Sequence, residues 1–193
     1  MKASVICISH ADGAEGQAVG ELVATKLGYR YVDDAIITDA ARGRGLFPES
    51  VSYAEGAKAK RSIEVDFGRV EKTEDLRDLI RATIHETADG GNIVIVAHAA
   101  SYALTGRDDV LRVLVTAPVA TRAGRVAVAD ALDPKNASRR LAESDKGRAV
   151  YLQRFYGIKT ERPTDYDLVI NTERLAAQDA AALIASAASP TAP

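Results

Sequence analysis

A single cysteine, Cys7, excludes an intramolecular disulfide, and with no Cys/His spacing near it a structural zinc site is not expected. Cys7 lies in an apolar run and reads as a small core residue. Long hydrophobic runs are also lacking. No window approaches the ~18 apolar residues of a membrane-spanning helix, and the first ten residues turn polar too soon for a signal peptide, so the expectation is a cytoplasmic protein. No excess of one charge sign exists either. Lys+Arg 25 against Asp+Glu 27 gives a net charge of −2, which offers no bulk attraction to nucleic acid or to an acidic membrane. Nothing repeats with a period of about 20–50 residues. What is present is 193 residues, 47% hydrophobic and 27% charged, enough for one globular domain with a sizeable core.

Along the chain, short apolar runs alternate with amphipathic segments. Strands are expected at residues 4–8, 29–32, 92–97, 110–116 and 166–171, the third being β-branched throughout, as suits a strand buried on both faces. Helices are expected at 17–27, 35–42, 71–88 and 119–128, with a short one after the third strand. Asp133-Pro134 reads as a break, after which Asn136 caps a long charged helix ending at Gly157. An alanine-rich helix at 176–188 closes the domain, and 190–193 form a tail. This order predicts an α/β fold, a parallel sheet with helices on both faces. Residues 43–70, rich in glycine and carrying Lys58, Lys60 and Arg61, read as a cover over the sheet edge.

The stretch 4–28 puts a strand, a small polar loop and a helix N-terminus in succession, an arrangement that turns backbone N–H groups and the positive end of a helix dipole toward one point. The full phosphate-loop signature G-x-x-x-x-G-K-[ST] adds a lysine for the β/γ-phosphates and a hydroxyl for magnesium. Here Gly13, Ala14, Glu15 and Gly16 form the loop, but Gln17 and Ala18 stand where Lys and Ser/Thr would be. Either a phosphate site or an ordinary β–α turn satisfies that pattern. Asp33 and Asp34 follow the second strand, where a carboxylate caps the next helix or faces the loop. His98 sits at the carboxyl end of the third strand, where open parallel sheets bind ligands. On the long helix, Arg139, Arg140, Arg148 and Arg154 make either a solvated charged face or a binding face.

Together the chain resembles the cytidylate kinase-like family, a branch of the P-loop nucleoside monophosphate kinases. Ile8-Ser9-His10 through Gly16 parallels I-S-R-x-x-G-S-G-G, and Leu27, Gly28 and Asp33 parallel L-G-x-x-x-x-D. Residues 91–100 parallel G-N-x-V-I-V-G-R-G-A, and 111–118 parallel V-L-R-V-x-x-x-A-P. Asp145, Arg148, Tyr151, Arg154, Phe155 and Tyr156 match an arginine-bearing helix ending R-F-Y, and 166–172 match the last strand.

The resemblance implies a three-layer P-loop kinase-like domain over 1–189, with a helical cover at 43–70 and a lid-type helix at 136–157. It implies ATP with Mg2+, phosphates bound by Gly13, Ala14, Glu15, Gly16, Gln17 and Ala18, and catalytic roles for Arg148, Arg154 and Asp33. Asp34, Arg61, His98 and Arg139 would bind the acceptor, a nucleoside monophosphate or similar small nucleotide. No resident metal ligand is expected from the protein. The departures share a direction: His10 for Arg, Glu15 for Gly, Gln17 for a basic residue, and Ala97-His98-Ala99 for Gly-Arg-Gly. Each Arg-to-His exchange removes a bidentate phosphate clamp. Two readings follow: an active kinase, and a catalytically inactive nucleotide- or anion-binding regulatory or scaffold protein of the same fold. A homo-oligomer with the arginine helix and cover at its interface is a third possibility.

Overall fold

The computed structural model describes residues 3–35 and 73–189. The cover at 43–70 with Arg61, most of the helix expected at 35–42, and the tail at 190–193 lie outside the described residues. Five parallel strands, β1 (Val5–His10), β2 (Arg30–Asp33), β3 (Ile93–Val96), β4 (Val110–Thr116) and β5 (Leu168–Asn171), form one sheet in the order β2-β3-β1-β4-β5. Helices α1 (Gly16–Leu27) and α5 (Ala177–Ala188) cover one face, and α2 (Thr73–Asp89) covers the other.

Alternation along the central strands assigns the two cores. Val5, Cys7, Ile93 and Ile95 point toward Leu79, Ile80, Ile84 and Ala88 of α2. Ile6, Ile8, Val94, Val96, Val113 and Val115 point toward Val19 and Val23 of α1 and Ala181 and Ile184 of α5. Because β1 and β3 are buried on both faces, they read as unbroken apolar runs rather than as alternating ones. A smaller core of Val126, Ala137 and Leu141 joins α3 (Val119–Ala129) to α4 (Pro134–Tyr156).

Three elements differ from the sequence expectation. The segment after β3 forms only a turn of 3-10 helix, Ala100–Tyr102. The strand at the start runs on to His10, because Ser9 and His10 pair with Leu114 and Val115 of β4. The long helix begins at Pro134 rather than after Asn136. Asp133 Oδ1 accepts from the main-chain N–H groups of Lys135 (3.0 Å) and Asn136 (3.1 Å), and Pro134 sits at the first helical position, where its missing N–H costs nothing. Asp133-Pro134 thus separates the two helices, as expected, and also starts the second of them.

The sheet carries the loop 11–15 at the carboxyl end of its central strand and delivers it to the start of α1. Gly13 adopts φ +74°, and a Cβ there would lie 2.7 Å from the Arg122 carbonyl oxygen. Gly13→Ala is therefore expected to lower stability by about 2–5 kcal/mol, summing left-handed strain and a backbone clash. Gly28→Ala, with a similar φ of +66° but open space around it, is expected to cost about 1 kcal/mol. Chemical denaturation of the two variants beside the wild type measures the difference.

Candidate functional site

The loop is held from behind by its carbonyl groups. Arg122 Nη1 donates to the Asp12 carbonyl (3.1 Å), Arg125 Nη1 to that of Gly13 (3.1 Å), and Thr172 Oγ1 to that of Ala14 (3.0 Å). With three successive carbonyls tied toward α3 and the end of β5, the loop keeps a fixed outline. The N-cap residue of α1, Glu15, makes no side-chain cap bond, so the helix starts without the usual side-chain oxygen over its first turn. Glu15 (φ +62°) and Ala99 (φ +51°) adopt left-handed backbone without being glycine. Both stand where the family pattern has glycine, so the backbone shape outlasts the residue that favours it. Gly16 remains glycine, since a Cβ there would lie 2.2 Å from His10 Cγ.

The side chains around this backbone carry their own counter-charges. Arg140 pairs with Asp12 (2.8 Å) and Asp130 (2.9 Å), and Arg125 with Glu15 (3.3 Å). Buried Arg122 makes a two-pronged contact with Asp145 (2.9 and 2.8 Å). Arg148 binds Glu161, whose side chain is 3% exposed, and donates to Ser9 Oγ (3.2 Å). The other Glu161 oxygen accepts from the Tyr166 hydroxyl, and Ser9 Oγ also accepts from the Ala99 N–H (3.1 Å).

Of the residues singled out from sequence, the loop residues 13–18, Asp34, His98 and Arg148 surround the carboxyl ends of β1, β2 and β3. Asp33 Oδ1 accepts from the Ala35 N–H (3.0 Å), as a capping carboxylate does. Gln17 and Ala18 are exposed on the first turn of α1. Arg139 is exposed and donates to Asn136 Oδ1 (2.9 Å). Arg154 lies six residues beyond Arg148, about 240° around the helix, and its carbonyl accepts from Arg77 Nε. Ser9, Asp12, Arg125 and Glu161 belong to the site without having been picked out. Ser9 carried a signal, the serine of I-S-R. Glu161 carried none, because it sits in irregular chain and acts only through its approach to Arg148.

Two histidines and an aspartate meet beside the loop. The His10 and His98 rings are 6.2 Å apart, and the Asp34 carboxyl accepts the His98 main-chain N–H. Burial depresses the His98 imidazole to about 4, reinforced by Arg148 and opposed by Glu161 and Asp12. His10 is lowered by burial and by His98, against its bond to the Ala11 carbonyl, Asp34 being opposed and Arg148 in support of the shift. Burial raises Asp34 to about 6, opposed by His10, the His98 N–H and Arg148 and reinforced by Asp33. At neutral pH the cleft therefore holds two uncharged imidazoles and a carboxylate.

The loop and the start of α1 offer main-chain N–H groups of the kind that bind phosphate, while the side chains present fit a metal ion less well. Ala18 has no oxygen for magnesium, and among the described residues no group of three or more His, Cys, Asp or Glu side chains could hold a metal ion.

The family model for the cytidylate kinase-like family matches residues 5–174. The chain belongs to that family. Relatives named cytidylate kinase include one from Staphylothermus marinus, 28% identical over 90% of this chain and 90% of its own, and one from Natronomonas pharaonis, 28% identical over 98% and 91%. Among solved structures, an uncharacterised protein from Eubacterium ventriosum superposes with a TM-score of 0.74 at 17% identity, covering 97% of this chain and 99% of that one. Shikimate kinase from Acinetobacter baumannii, in complex with shikimate, superposes with a TM-score of 0.54 at 19% identity, covering 96% and 92%. The fold is thus the P-loop kinase-like one, and family and fold resemble those of ATP-using kinases. Among the described residues, no helix is long and apolar enough to cross a membrane.

Two outcomes follow for this cytidylate kinase-like protein. Arg148→Ala leaves the Glu161 carboxylate buried and uncompensated, and is expected to destabilise the fold by roughly 3–5 kcal/mol, with Arg148→Ala/Glu161→Gln recovering part of it in thermal melts. The second concerns pH. His98 contributes stability that is complete above its ordinary 6.5 and is lost as pH falls through about 4. Asp34 contributes stability that is complete below its ordinary 3.8 and is lost as pH rises through about 6. Between pH 4 and 6 the slopes oppose. Relative to wild type, Asp34→Asn should lose up to about 3 kcal/mol on acidification across that window, and His98→Gln should gain a similar amount, read from denaturant midpoints at each pH.

Proposed function

We propose that this protein is a phosphotransferase that receives nucleotide phosphate on the main-chain loop 11–16 and a small acceptor at the carboxyl ends of β1, β2 and β3. The observation that carries this reading is the loop's orientation: the carbonyls of Asp12, Gly13 and Ala14 are tied away from the cleft, and α1 begins without a side-chain cap. Membership of the cytidylate kinase-like family makes ATP the first donor to test, and nucleoside monophosphates or similar small molecules the first acceptors. Arg148, anchored between Ser9 and Glu161, is a cation held at the carboxyl end of β1. It supports charge on a transferred group if a ligand draws it from Glu161. A cytoplasmic setting suits such a substrate.

A second reading, a catalytically silent nucleotide or anion binder, is favoured by Glu15. Glu15 is a loop residue whose carboxylate engages Arg125, so the loop carries a negative charge and no lysine. The two readings part in paired experiments: calorimetry with ATP, with and without magnesium, and a coupled assay with CMP, dCMP, UMP, AMP and the matching nucleosides. Wild type is expected to bind ATP weakly. Glu15→Gly, which removes both the like charge and the left-handed strain, is expected to tighten binding by about tenfold. Turnover supports the phosphotransferase, binding without turnover the silent binder, and no binding by either protein overturns both.

A further inference from the structure

The sheet order places the ends of β2, β3 and β1 side by side, which brings Asp34, His98 and His10 together at the carboxyl edge of the sheet, where parallel sheets open a crevice. Their hydrogen-bonding character is asymmetric. His10 Nδ1 lies 3.1 Å from the Ala11 carbonyl, an acceptor only, so Nδ1 carries the proton and Nε2 is left as a lone-pair acceptor. His98 Nδ1 is buried and has no hydrogen-bond partner among the described residues. A neutral imidazole offers one donor and one acceptor, the same complement as a hydroxyl group. Asp34 adds a carboxylate. The wall is aromatic: Tyr151 meets His98 edge-on at 5.8 Å and lies 4.7 Å from Phe155. The guanidinium of Arg148 acts on all three groups but is already bound to the buried carboxylate of Glu161.

A phosphate monoester is acceptor-only and carries close to two negative charges at neutral pH. In this cleft it would face a histidine lone pair and a carboxylate, where tight recognition calls for arginine. A hydroxyl group meets no such opposition: it donates to Asp34 or His10 Nε2 and satisfies His98 Nδ1 in either tautomer. An unpaired buried polar atom costs free energy until a ligand meets it, so selection runs in the same direction.

We propose that the cleft formed by His10, His98 and Asp34 selects an uncharged, hydroxyl-bearing acceptor over a phosphate monoester. The proposal rests on the phosphotransferase reading given above and specifies its acceptor class. Its test uses binding alone, so that it fails or stands independently of turnover. Cytidine, uridine and adenosine are titrated against their 5′-monophosphates by calorimetry, with wild type, His98→Arg and Asp34→Asn. In wild type at least one nucleoside is expected to bind about tenfold more tightly than its monophosphate. His98→Arg is expected to reverse that order, because it supplies the missing clamp. If His98→Arg does not fold, Asp34→Asn carries the test: it keeps an acceptor oxygen but removes the negative charge, so monophosphate binding should improve relative to nucleoside binding and the tenfold preference should shrink or reverse. Tighter binding of monophosphates by wild type overturns the proposal, as does binding of neither class.

Discussion

The buried guanidinium of Arg122 is the contact on which the rest of the site depends. An arginine removed from water costs several kcal/mol unless its donors are met. Here Nε donates to the Ala117 carbonyl (3.2 Å), Nη1 to Asp12 and Asp145, and Nη2 to the second Asp145 oxygen. Those partners belong to the exit of β4, the loop and α4. One side chain therefore fixes the distance between the sheet, the phosphate-type loop and the long helix. Arg125 and Thr172 extend the same arrangement to the next two carbonyls. The loop cannot change outline without leaving a buried charge short of partners.

Shape and charge are thereby separated. The outline comes from carbonyl ties made by residues outside the loop, so it tolerates Glu15 and Ala99 in left-handed conformations that cost an L-residue about 1–2 kcal/mol each. Charge has gone the other way. Asp12, Glu15, Asp145 and Glu161 each occupy an arginine, and an incoming phosphate must compete with carboxylates already in place. Such competition is mildest at the exposed Arg125–Glu15 pair, which water screens, and strongest at Arg148, whose partner is buried.

How much of this was legible in the residues depended on whether the cause was local. β1 and β3 were visible because strands buried on both faces must be continuously apolar. The capping role of Asp33 followed from a carboxylate placed between strand and helix. The helix start at Pro134 was misplaced, since Asp-Pro reads as a stop, and only the Asp133 bonds to Lys135 and Asn136 mark it as a start too. The pairing of His10 with His98 could be anticipated only as two arginine losses in one direction; their separate positions, 88 residues apart in sequence, say nothing of a shared cleft. Glu161 was illegible, because neither periodicity nor motif marks a residue whose partner is set entirely by tertiary approach.

The losses at His10 and His98 then take on a different sense from the losses at Glu15 and Gln17. At the loop, a cation is missing while main-chain N–H groups able to bind phosphate remain, which on the proposed reading weakens binding without a change of ligand class. At the strand ends, arginine is replaced by a group with both donor and acceptor, next to a carboxylate that arginine would have neutralised. That alters which ligand is complementary, not merely how tightly the former one is held. Ser9 is bonded to both Ala99 and Arg148, and Arg148 is bonded in turn to Glu161. Those bonds tie the ends of β1 and β3 to α4, beside two histidines that stand where the family pattern has arginine.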